Sequence, residues 1–238
     1  MKHQCVSFMI FTLFTFNNVQ VFSQIKGCNA SFHETSGERT LSTTGNADMD
    51  NAIRREVGIL RNSFDINCAV WLFDDEDSPN ADASNRITDY MKPDGTIRLG
   101  YNMMQKQLGY SNWGGTIPFI LAHEFGHVKA FKNNWNFRGD DYTVKKDELF
   151  ADFCAGLYMW DRQFFLTTDI QSTIRAFIDL GDTEFTNRNH HGTPEERMKA
   201  LIAGYHYLRI FRQQNPGKRF TDEDLYDGFV HYASINID

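Results

Sequence analysis

His123-Glu124-Phe125-Gly126-His127 puts two imidazoles and a carboxylate within little more than one turn of an apolar run, Ile120 to Val128. Side chains four residues apart on a helix lie one above the other, so His123 and His127 can grip one metal ion from the same side. Glu124 projects from the adjacent edge of that face, where it reaches a water on the metal rather than the metal itself. That division of labour suits metal-assisted hydrolysis: the metal acidifies a water and the carboxylate takes its proton. An unpaired charge in so apolar a stretch is expensive, which argues against Glu124 as a mere solvated charge.

A catalytic zinc takes three protein ligands and keeps a fourth position open. Glu148-Leu149-Phe150-Ala151-Asp152 follows far enough along for one helix to finish and the next to return antiparallel. Glu148 and Asp152 are again one turn apart and can point at one place. Glu148 is the expected third ligand. Asp152 is the alternative, but suits better the role of acceptor for the second ring nitrogen of a ligating histidine.

These residues need elements to hold them. Met49, Ile53, Val57 and Leu60 recur at helical spacing and predict a helix over 47–62. Ile66 to Phe73 is almost wholly apolar and reads as a central strand covered on both faces. Asp74-Asp75-Glu76-Asp77 reads as a solvated turn, because the alternating ligand spacing of a Ca²⁺ loop is missing. Thr96 to Tyr101 is a short strand with Ile97 and Leu99 on one face. Thr116 is a natural N-cap for the helix that carries His123, which runs to about Phe131. Thr143 can cap a helix over roughly 144–165, and a third spans about 168–180. Thr193-Pro194-Glu195-Glu196 is a capping box that opens a helix to about Arg212. Thr221-Asp222-Glu223-Asp224 starts the last one. Helix, two or three strands, then many helices is the order of an α+β domain with a mostly helical C-terminal half.

Residues 1–23 have the pattern of a secretory signal peptide: Lys2 and His3, an apolar run from Val6 to Phe16, and Val21-Phe22-Ser23 before a cleavage site at Gln24. The run is too short for a membrane span, which needs about 20 apolar residues, and no later segment is long and apolar enough. A polar lead-in over 24–46 and a catalytic domain over 47–238 follow. The expected location is secreted or periplasmic. Asn29-Ala30-Ser31 is a weak glycosylation acceptor. The net charge of −7 argues against nucleic acid as a partner. The mature cysteines are Cys28, Cys68 and Cys154. Two readings stand level: a Cys28–Cys68 disulfide, or three buried thiols.

H-E-F-G-H followed by E-L-F-A-D resembles the gluzincin metallopeptidases. Within them the chain is most similar to the family of the CAAX prenyl protease and the heat-shock membrane protease, and to bacterial neutral zinc metallopeptidases. Pro79-Asn80-Ala81-Asp82-Ala83, Asp94-Gly95-Thr96-Ile97 and His191-Gly192-Thr193-Pro194-Glu195-Glu196-Arg197 match further stretches. The resemblance covers roughly 65–205. It departs from the membrane-embedded members in lacking transmembrane helices, so their substrates are not carried over.

The resemblance implies a zincin-like fold, with a small mixed sheet whose edge strand lies beside the active-site helix, and one Zn²⁺. Thr96 to Tyr101 would be that edge, with Ile97 and Leu99 binding an extended peptide added by backbone pairing. His191 would donate to the oxyanion, with His190, Tyr101, Tyr110 and Tyr142 as rivals. Arg197 would pair with Asp152 or Glu148 and lock two helices together. Gly126 would let a second backbone approach the active helix. The expected activity is an exported zinc endopeptidase acting on a peptide or protein substrate, with Glu124 as general base. A zinc amidase acting on cell-wall peptides and a non-catalytic, metal-stabilised binding protein are the competing readings.

Overall fold

A computed structural model describes residues 39–76, 79–110, 116–138, 144–163 and 191–237. The expected signal peptide, Cys28, Asn29, Thr143, the helix over 168–180, His190 and Tyr142 lie outside them, as does most of the lead-in. The described chain is mixed α+β: a four-stranded mixed sheet and six helices. The strands are β1 (Thr40–Leu41), β2 (Ala69–Phe73), β3 (Ala81–Ser84) and β4 (Thr96–Gly100). The helices are α1 (Ala47–Phe64), α2 (Tyr101–Tyr110), α3 (Thr116–Lys132), α4 (Lys145–Asp161), α5 (Pro194–Gln214) and α6 (Asp222–Asn236). No described helix is long and apolar enough to cross a membrane.

The strand order is β1-β2-β4-β3. β4 runs parallel to β2, Val70 opposite Ile97, and antiparallel to β3, Ala83 opposite Ile97. Thr96–Gly100 is therefore an interior strand, and the expectation that it forms the edge is corrected. Ile97 and Leu99 are fully buried in the core and cannot bind a peptide. The strand beside α3 that pairs on one side only, among the described residues, is β3. Nor is β2 covered on both faces: Trp71 is 41% exposed.

Asp75 is no solvated turn residue. It is buried and accepts from the backbone N–H of Asn102 (2.6 Å) and Met103 (2.9 Å), capping α2 from a distance. A Cβ on Gly100 would lie 2.1 Å from that carboxylate, so the approach needs glycine there.

α3, the most buried helix, packs against β3, α1 and α4. At Gly126 a Cβ would meet Ala151 Cα at 2.9 Å, which is how closely α4 approaches it. α4 and α5 cross more tightly still. A Cβ on Gly156 would lie 2.0 Å from the carbonyl oxygen of Leu201, and one on Gly204 2.0 Å from that of Phe153. The reciprocal pair sets the distance between the helix bearing Glu148 and Asp152 and the helix bearing Arg197. Gly204→Ala should destabilise the fold by about 2–3 kcal/mol despite its gain in helix propensity. A denaturation midpoint unchanged from wild type would contradict that crossing.

α5 starts as its sequence demands. Thr193 Oγ1 accepts from Glu196 N–H, and the Glu196 carboxylate accepts from Thr193 N–H. Gly192, at φ +89°, turns the chain into it directly after His191.

Candidate metal centre

Three of the residues picked out by spacing converge on one point. His123 Nε2 and His127 Nε2 are 3.1 Å apart. Glu148 brings Oε2 to 3.4 Å from His123 Nε2 and Oε1 to 3.4 Å from His127 Nε2. All three side chains are at most 2% exposed. They form a buried group that can hold a metal ion.

The environment of Glu148 argues for an ion. The two 3.4 Å separations run to different oxygens of Glu148, so both of its carboxylate oxygens face the imidazole pair. As hydrogen bonds they make poor sense. Both oxygens of the buried Glu148 carboxylate lack a hydrogen-bond partner of good geometry, a costly state for a buried charge unless something else coordinates it.

A second tier orients the first. Asp152 Oδ1 lies 2.9 Å from His123 Nδ1, which leaves Nε2 of that ring facing His127 and Glu148. Asp152 is held in turn by the Arg197 guanidinium, Nε donating to Oδ2 at 2.8 Å and Nη2 to Oδ1 at 2.9 Å. Arg197 is fully buried and also comes within 3.6 Å of Glu148 Oε2. One guanidinium from α5 thus balances two carboxylates of α4. His191, 6% exposed, places Nδ1 3.4 Å from Glu148 Oε1. Glu124 is fully buried on α3 beside the histidines. Tyr101, half-buried at the start of α2, packs against the hydrophobic core; Tyr110 ends α2, its side chain outside the description.

Without a metal, burial pulls His123 toward its neutral form. The hydrogen bond and charge of Asp152, with Glu148 close by, outweigh it and hold the imidazole up to about 9. Burial also works against the charge on Glu148, but His127, His191 and His123 keep its carboxyl well below the usual range. Asp152 is held low by Arg197 and His123 against the same burial. The carboxylates favour a cation here, and a metal binding at His123 would displace its proton.

Asp152→Asn should weaken metal binding about 10–100-fold, because the amide cannot fix the His123 tautomer as a carboxylate does. Competition with a chromophoric chelator measures this, and an unchanged affinity would remove Asp152 from the orienting role.

Of the other expectations, Cys68 and Cys154 are buried free thiols; the expected partner of Cys68, Cys28, lies outside the description. Burial pushes the Cys68 thiol up to about 12, so it stays a thiol. What the spacing arguments missed was the position of β3, the capping role of Asp75 and the Gly156–Gly204 crossing. Paired small residues on two long helices were the available signal for the last. No family model matches the chain, and no curated protein or solved structure is significantly similar to it.

Proposed function

We propose that the chain is an exported zinc-dependent endopeptidase. One observation carries the reading: a buried His123-His127-Glu148 group whose ligand atoms converge on one point, next to a buried carboxylate, Glu124, on the same helix. Two imidazoles and one carboxylate are a zinc donor set, and three protein ligands among the described residues leave a position for substrate chemistry. A purely structural zinc has no use for a neighbouring base. The resemblance to the gluzincin motif points the same way, and the signal-like segment over 1–23 supports export.

Zinc, when bound, supplies Lewis acidity to water and to the scissile carbonyl. Glu124 takes the proton of the attacking water and passes it to the leaving amine. His191 faces Glu148 through Nδ1, so the donor to the developing oxyanion is its other ring nitrogen. Asp152 and Arg197 keep His123 aimed. The substrate backbone does not align along β4, which is interior to the sheet.

Chelation followed by readdition of zinc should abolish and then restore cleavage of casein, while purified peptidoglycan stays intact throughout. Cleavage of peptidoglycan alone would move the activity to the amidase reading. Zinc-loaded chain that cuts neither would overturn hydrolysis altogether.

A further inference from the structure

The edge of the sheet away from β3 is only partly paired among the described residues. β1 pairs with β2 only at Phe73 and Leu72. The chain then leaves through Ser42 to Gly45, turned toward α1 by Asp50. That carboxylate accepts from Thr43 Oγ1, from Thr44 N–H at 2.9 Å and from Thr44 Oγ1 at 2.7 Å. The departure leaves Ala69 to Trp71 of β2 hydrogen-bonded to β4 alone among the described residues. It also opens a cavity of about 410 Å³ between β2 and α1.

The walls of this cavity are apolar: Leu41, Ile53, Val57, Val70, Trp71 and Leu72. Its two cations are Arg54 and Arg61. Arg54 bonds to the neutral Asn51 side chain at 2.8 Å and Arg61 to the carbonyl of Cys68 at 2.7 Å; neither forms an ion pair among the described residues. The cavity's own carboxylate, Asp50, is hydrogen-bonded by the threonines and feels the charge of Arg54 without an ion-pair contact to it. In a chain of net charge −7, two guanidiniums with no ion-pair contact among the described residues, apolar walls and a strand edge unpaired among those residues together suit an acidic and apolar occupant.

We propose that this groove binds an extended peptide segment carrying an acidic residue, a residue of any type, an apolar residue, another of any type and a second acidic residue. Arg54, Val57 and Arg61 follow one another on one face of α1, the two arginines about 10 Å apart along the axis. A strand added to β2 turns every second side chain toward α1, at about 6.7 Å spacing. The central apolar side chain then enters the cavity over Ile53 and Val57. The flanking carboxylates, about 13 Å apart, come within reach of the long arginine side chains. Backbone pairing to β2 supplies affinity, and the three side chains supply selectivity. The inference does not depend on the hydrolytic reading.

Fluorescence anisotropy of a labelled Thr-Glu-Thr-Val-Thr-Glu-Thr heptapeptide tests it, using the Glu124→Gln chain so that no turnover intervenes. Saturable binding is expected. It should weaken at least tenfold in Arg54→Glu and in Ser42→Trp, both at exposed positions, and in the same direction in Arg54→Gln, which adds no charge beside Asp50. It should vanish when lysine replaces both peptide glutamates, or when proline replaces the threonine after valine. Equal binding of the lysine peptide, or indifference to Arg54→Glu, would overturn the proposal. So would uptake of decanoate with no uptake of the peptide, since that would make the groove a site for small amphiphilic anions.

Discussion

Glu124→Gln should lower the rate of peptide hydrolysis by about 10²–10⁴-fold, the usual worth of a positioned acid–base group, with the metal still bound. Glutamine has the shape of glutamate, so a side chain that is fully buried on α3 keeps its packing. His123, His127 and Glu148 are untouched, so metal content measured by mass spectrometry should stay at wild-type stoichiometry. What is lost is a proton acceptor, and the loss should fall on kcat with KM little changed. The leaving group offers a sharper check. An amine must be protonated to depart, whereas an activated ester need not be. If Glu124 carries the proton both from water and to the amine, the variant should lose more rate on an amide than on an ester of the same acyl group. Equal losses on both would confine Glu124 to activation of water. Wild-type rates on the amide would remove it from the mechanism.

The centre was legible because its logic is local. Two histidines four apart and two carboxylates four apart are placed by helix geometry alone, and the chain between them is long enough for an antiparallel return. Arg197 could be named because a capping box fixed where its helix starts. Where the chain was misread, the deciding fact was non-local. Alternation in Thr96–Gly100 identifies a strand with one buried face, but says nothing of how many neighbours it has. β3 arrives earlier in sequence and lies outside β4 in space, so it takes the edge. Asp75 sits among acidic neighbours, whereas its partners are backbone N–H groups of Asn80 and of a helix more than twenty residues on. That helix, with Met103, Met104 and Gln107 buried on one face, had its own periodicity, hidden by the strand that runs straight into it at Gly100. The Gly156–Gly204 crossing needed both helices in place before either glycine meant anything.

Arg197→Met should cost about 3–5 kcal/mol, the scale for breaking a buried ion pair by removing one partner. For a domain of this size that is a drop of roughly 6–20 °C in melting temperature. The guanidinium is fully buried and makes two charge-assisted bonds to Asp152 at 2.8 and 2.9 Å. Methionine fills much of the space but leaves the Asp152 carboxylate buried with only His123 to face. That carboxylate should then take up a proton, and the bond that aims His123 weakens with it. Metal affinity should fall by about 10–100-fold, as when any orienting partner of a metal-bound imidazole is lost. A second substitution separates the two consequences. In Arg197→Met with Asp152→Leu no charge is stranded, so much of the lost stability should return. Nothing then holds the His123 ring, so metal affinity should stay low. Recovery of both together would mean that Arg197 only holds α5 to α4. Loss of metal affinity with a melting temperature within a degree of wild type would mean that the pair stabilises the ion and not the fold.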